Sequence, residues 1–387
     1  MGLENWLQPP GNTYETTDIW VDSPLNGYAT PPDNPQNYRY GVQSDLHGAN
    51  VPIGNGDDPA VGMQNRIYAR VRNFGTLPAT NVTVFFDITD PPGLGIIGSN
   101  GFKNLGQVGP AQFPGLASIP PGGHVDVFLN WTPNFPLTPQ QIADGQFLFH
   151  TCLRIRLSHV PGESFFANQD GDGQQENITY FDTTGSTPGA PGAPNRMLIH
   201  LRNDDLASRK TFLIGLQGSP PPNWSVTINN GQPVIDLNPS ELRDIPVEIT
   251  QQAAEPIGSR HQFRLTASSQ MTLTAAGKPP HNHYRSISGA TVEAAVLRKT
   301  SLTCRIQNGR IAGELRNQDP RDREVAPFVT VVPISVVRGT VRFRGNGVLI
   351  RPQNGQFTAT LPGHGTAVCL YAGSPYSTTA GSRLVTY

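Results

Sequence analysis

The run Asn168-Gln169-Asp170-Gly171-Asp172-Gly173 places oxygen-bearing side chains at alternate positions and a glycine at the sixth. That is how a calcium loop surrounds a hard cation with carboxylate and amide oxygens. Asn168, Asp170 and Asp172 are therefore the candidate metal ligands, and calcium is the one cofactor the sequence suggests. Glu176 falls at the ninth position. The twelfth is Thr179 instead of a bidentate glutamate, and no helical period flanks the run. The same residues also read as a solvated Asp-Gly hairpin turn, and both readings stand at this stage.

Other constellations are less complete. His281 and His283 offer two imidazoles without a third ligand at a recognisable spacing, so an exposed linker is expected there. His150 and Cys152 lie two apart on one strand face, where a buried polar side chain satisfied by backbone is the commoner outcome. Gly93-Leu94-Gly95-Ile96-Ile97-Gly98 has the letters of a dinucleotide fingerprint. The helix whose N-terminus would hold pyrophosphate is missing after it, so a flexible sandwich loop is expected. There is no G-x-S-x-G elbow and no H-E-x-x-H. No catalytic residue is assigned, and the chain is read as a non-enzyme.

The three cysteines, Cys152, Cys304 and Cys369, are too few for a disulfide framework and too scattered for zinc. Cys304 and Cys369 could pair under oxidising conditions, or serve as small buried hydrophobes. Trp6, Trp20, Trp131 and Trp224 could stack on sugar rings as a carbohydrate-binding module does, although Trp131 and Trp224 sit in apolar alternation and read as core.

The elements that must position these residues are strands. In Ile67-Tyr68-Ala69-Arg70-Val71-Arg72 apolar and polar side chains alternate, which puts Ile67, Ala69 and Val71 on one face and the arginines on the other. The same period recurs through Val82–Ile88, Val125–Trp131 and Phe147–Leu157, and one short helix is suggested by residues 138–143. Such strands bury their single apolar faces only against a second sheet. Gly- and Pro-rich residues 184–195 form a linker. Further short strands occupy residues 196–274, a second linker is read at 275–290, and a last β unit at 291–387. In that unit Asn308-Gly309 and Asn354-Gly355 signal hairpins. The expected fold is therefore all-β: an N-terminal arm (1–17), a sandwich (18–183), and two more antiparallel sandwiches in tandem, of the kind that forms a rod or scaffold.

Residues 65–76 and 78–84, with Asp18-Ile19-Trp20-Val21, residues 150–155 and residues 175–178, resemble a CARDB-type immunoglobulin-like domain of bacterial and archaeal surface proteins. The resemblance covers roughly residues 18–183 and implies a seven-stranded sandwich used as an adhesion, spacer or accessory module. It also implies an extracellular or cell-surface setting. Residues 196–274 are similar to the small immunoglobulin-like accessory domains attached to bacterial enzymes.

Composition agrees. The 387 residues carry a net charge of −1, only 15% are charged, and 41 glycines and 37 prolines punctuate the chain. This excludes coiled coils, helical bundles and nucleic-acid binders, which need helix formers or a basic surface. No signal peptide is read at the N-terminus, and the longest apolar run, Phe328–Val337, is half a membrane span, so a soluble protein is expected. The function expected is that of a non-enzymatic scaffold or adhesion module with a protein partner or self-association; the alternatives are a carbohydrate-binding accessory module of a secreted enzyme system and, behind it, a hydrolase with a spatially assembled site.

Overall fold

The computed structural model describes residues 19–28, 43–44, 50–51, 59–73, 76–89, 94–96, 102–148, 151–158, 160, 173–178, 180–182, 194–203, 205–216, 218–273, 281–322, 328–374 and 376–387. They build three β-sandwiches whose strands pair mostly antiparallel.

The first sandwich contains β1 (Ile19–Asp22), β2 (Asn65–Arg72), β3 (Val84–Thr89), β4 (Leu94–Ile96), β5 (Phe102–Val108), β6 (His124–Trp131), helix α1 (Pro139–Ala143), β7 (Thr151–Leu157) and β8 (Gly173–Ile178). Its two sheets run β1-β2-β6 and β8-β7-β3-β5. The expected face of β2 points inward: Ile67, Ala69 and Val71 meet Phe86, Ile88, Leu153 and Ile155 in one core. Helix α1 forms where expected, because Thr138 and Gln141 make a reciprocal capping box and Pro139 opens the first turn.

The arginine face of β2 is not solvated as its polarity suggests. Register places Trp20, Tyr68 and Phe128 in one cross-strand row, with Trp20 stacked on Tyr68 at 5.1 Å between ring centres and Tyr68 tilted against Phe128 at 5.3 Å. Arg70 is buried beside this row and donates a bidentate pair to Asp126 at 2.7 and 2.8 Å. An apolar row that wide is itself worth covering, and the arginine is retained because its charge is paired.

The second sandwich contains β9 (Tyr180–Asp182), β10 (Pro194–Arg202), β11 (Lys210–Leu216), β12 (Trp224–Ile228), β13 (Val234–Leu237), β14 (Leu242–Gln251), β15 (Arg260–Leu273) and β16 (His281–Ala295). Its sheets run β9-β16-β15-β11-β13 and β12-β14-β10-β4. Two findings differ from the sequence reading. Residues 281–290 are strand, not linker: β16 pairs with β15 from Ala295 opposite Arg260 to His281 opposite Leu273, with one register shift at Ala267/Ser268. Its residues show no apolar alternation in the sequence, and it is the backbone pairing to a long neighbouring strand that defines this element. The glycine-rich run read as a loop also supplies a strand. Leu94, Gly95 and Ile96 pair in parallel with Ile199, His200 and Leu201, so the first sandwich lends β4 to the second sandwich's sheet.

The third sandwich contains β17 (Ser301–Gln307), β18 (Arg310–Arg316), β19 (Val329–Val337), β20 (Thr340–Phe343), β21 (Val348–Ile350), β22 (Gln356–Ala359), β23 (Thr366–Tyr371), β24 (Ala380–Gly381) and β25 (Val385–Thr386). One sheet is β17-β18-β22. The other is β20-β19-β23-β24, with β21 also pairing β19 and β25 pairing β23. Asn308-Gly309 and Asn354-Gly355 make two-residue turns with both φ angles positive, as expected for Asn-Gly hairpins. Arg338-Gly339 makes a third that no Asn-Gly signal announced.

The β19/β23 sheet is covered on both sides. Val329, Val331, Ala367, Cys369 and Tyr371 face the third sandwich's own core. Val332, Ile334, Val368 and Leu370 face a separate core shared with Leu25, Val61, Met63, Leu137, Ile142 and Phe147 of the N-terminal half. Phe147, read as part of a first-sandwich strand, thus packs in this seam, and the described strand that follows it is Thr151–Leu157. The seam is also hydrogen-bonded: Val341 N donates to Leu137 O at 2.7 Å, Gln64 N to Asn346 Oδ1 at 3.1 Å, and Thr330 Oγ1 to Leu25 O at 3.2 Å. It is tight at Gly62, φ +71°, where a methyl group would lie 2.5 Å from Phe343 Cδ2, and at Gly381, where one would lie 2.0 Å from Ile142 O. The tandem sandwiches are therefore clasped together, not merely joined end to end.

Candidate interaction groove

The three-stranded sheet β17-β18-β22 has one face in the core and one in solvent. Leu302 opposite Leu315, and Ile306–Ile311–Ala359, lie on the inner face. Alternation puts Thr303–Glu314–Gln356 and Arg305–Ala312–Thr358 in two cross-strand rows on the outer face, with Arg316 at one end. These residues, with Arg351, Gln353 and Asn354 beside them, line an open groove of about 1180 Å³. Gly313 shapes its floor. A methyl group there would lie 2.2 Å from Phe357 Cζ and 2.3 Å from Thr303 O, so only glycine lets the Phe357 ring cross β18 at that depth.

The groove carries three arginines, Arg305, Arg316 and Arg351, and one glutamate, Glu314. Arg316 Nη2 is 2.6 Å from Glu314 Oε2. This contact holds the Glu314 carboxyl below the usual range, with weaker attraction from Arg305. Arg351 lies over the Phe328 ring at 4.7 Å. In a chain of net charge −1 this is a locally positive, hydrogen-bonding surface. Its guanidinium forks suit carboxylates better than apolar side chains. In the sequence Arg316 reads only as the start of the charge-dense run 316–324, expected as a solvated loop, and Arg305 and Arg351 carry no signal of their own.

The structure treats the sequence-derived candidates differently. Asn168, Asp170 and Asp172 lie outside the described residues, although β7 and β8 on either side of them pair antiparallel, with Arg156 opposite Gly173. Cys152 lies on β7, paired with Asn177. His281 and His283 stand on β16 opposite Leu273 and Met271. The run at 93–98 holds β4 at its centre, and the strand β5 follows in the chain. Of the tryptophans, Trp20 and Trp224 are buried and Trp131 is half-buried against the first core, so these three do not line a sugar-stacking platform. Trp6 lies outside the described residues. Cys304 and Cys369 are both free thiols.

Among the described residues no helix is long and apolar enough to cross a membrane, which says nothing about a β-barrel. A scan against protein-family models finds no match, so the CARDB resemblance has no family model behind it, and no curated protein matches. Solved structures do match. The E. coli chaperone DraB is 11% identical, with 54% of this chain and 93% of that chain covered at a TM-score of 0.20. The full-length RrgB pilus protein from Streptococcus pneumoniae is 9% identical, with 95% of this chain and 67% of that chain covered at 0.18. At such scores these likenesses carry no argument, and the functional reading rests on the chain's own geometry.

Proposed function

We propose that this chain is a non-enzymatic β-sandwich scaffold that docks a protein partner in the groove of its third sandwich, in an extracellular or cell-surface setting. The observation that carries the reading is the arginine-lined groove borne by a sheet whose companion layer is packed into the first sandwich through the shared core. A rigid support lowers the ordering cost of binding, and three convergent guanidinium groups favour a partner segment rich in carboxylates.

The test compares immobilised wild-type chain with an R305E/R316E variant as affinity surfaces for proteins of the source organism. Native mass spectrometry of each form alone reads self-association. The reading expects proteins, or a second copy of the chain, that bind wild type and are lost from the variant, with binding weakened by salt. Equal retention by both surfaces, or binding to neither with the chain monomeric, overturns it.

A further inference from the structure

Cys304 and Cys369 lie on opposite layers of the third sandwich, on β17 of the groove sheet and β23 of the covered sheet. Both belong to the third core, Cys369 fully buried and Cys304 half-buried against it. Their side chains face each other around Ser382. Cys304 Sγ is 2.8 Å from Ser382 Oγ, and that same oxygen accepts from Cys369 N at 3.2 Å. Cys304 shares the inner face of β17 with Leu302 and Ile306, but it is half-buried where Cys369 is fully buried, so Cys304 is the more exposed of the two.

We propose that this pair is a modification site, at which a low-molecular-weight disulfide converts the two thiols into an intramolecular disulfide across the sandwich. In the first exchange the Cys304 thiolate attacks one sulfur of the small disulfide. A Cys304–sulfur bond forms, the small disulfide bond breaks, and one small thiolate leaves. In the second, Cys369 gives up its proton and attacks the Cys304 sulfur, expelling the second small thiolate, which takes up a proton. The protein loses two protons and two electrons, and the small disulfide takes both up to become two thiols.

The order of attack follows from the surroundings. Hydrogen bonding from Cys369 and Ser382 holds the Cys304 thiol below its ordinary range. Burial pushes the Cys369 thiol up, so Cys304 is the entry sulfur and Cys369 the resolving one. The bond would tie the groove strand β17 directly to β23, the strand that also packs in the seam.

The experiment incubates the full, folded chain with oxidised glutathione and follows it by intact mass and peptide mapping. The expected result is loss of two hydrogens with no retained glutathione, a mapped Cys304–Cys369 link and a raised melting midpoint. The C369S variant should stop at one glutathione on Cys304, and C304S should leave Cys369 unmodified. A wild-type chain that stops at the mixed disulfide, keeps both thiols free, or links either cysteine elsewhere overturns the proposal, and the wild-type map reads these outcomes even if a variant fails to fold.

Discussion

Asp22 ends β1 on the covered face of the first sandwich, 1% exposed, and neither carboxylate oxygen has a hydrogen-bond partner. Its cross-strand neighbour is Arg66, whose guanidinium lies 4.0 Å from the centre of the Tyr28 ring and 5.3 Å from that of Phe128. Burial pushes the Asp22 carboxyl up from 3.8 to about 7, only partly opposed by Arg66. The folded chain therefore holds this proton more tightly than the unfolded chain between about pH 4 and pH 7. The contribution to stability is intact below pH 4, falls as pH rises, and levels off above 7. At 1.36 kcal/mol per pK unit, the shift of roughly three units corresponds to a penalty on the order of 4 kcal/mol for the ionised form.

Asp22→Asn keeps the shape and removes the charge. Urea unfolding, monitored by tryptophan fluorescence at several pH values, should find the variant close to wild type at pH 4 and more stable by up to about 4 kcal/mol at pH 8. Asp322, also pushed up by burial, contributes a slope of the same sign to both proteins, and the comparison cancels it. A difference that is constant with pH, or that grows toward acid, would refute the reasoning.

Three further substitutions probe the fold. Gly62→Ala puts a methyl group against Phe343 at a positive φ and should cost about 1–3 kcal/mol through overpacking, read as a lower urea midpoint and faster hydrogen exchange at the seam. Gly313→Ala collides with the Thr303 carbonyl, which is backbone and cannot rotate away. A similar loss of about 1–3 kcal/mol is expected, with protection lost in β17 while the first sandwich keeps its own. Asp322 accepts from Ser374 Oγ at 2.5 Å, from Ser377 Oγ, and from Asp319 N at 3.2 Å. Asp322→Ala strands the buried Ser374 and Ser377 hydroxyls, while Asp319 N keeps Ser377 Oγ at 3.0 Å, and should cost about 2–4 kcal/mol in calorimetry, whereas Asp322→Asn should recover much of that loss.

Legibility in the sequence tracked how local each signal was. The inward face of β2, the capped helix at 139–143 and the two Asn-Gly hairpins were readable because period-two alternation, a capping box and a positive-φ dipeptide each act within a few residues. The strand at 281–290 was not, since its pairing depends on β15. Nor was the donation of Leu94–Ile96 to another sandwich. One overlooked signal was present: residues 328–337 are apolar at adjacent positions, broken only by Thr330 and Ser335, instead of alternating, which is what a strand buried on both faces requires. Read that way, it would have announced that a second layer covers this sheet.

By itself the sequence determined that the protein is all-β, where most strands lie and which face of each turns inward, because these depend on side-chain type at adjacent positions. Only the tertiary structure decided that the third sandwich shares a core with the N-terminal half, that the first lends a strand to the second, and that Arg305, Arg316 and Arg351 converge on one groove. Those outcomes depend on which apolar faces and strand edges meet across long stretches of chain. The many pairings that would bury similar areas are separated by shape and register, which no short window of residues contains.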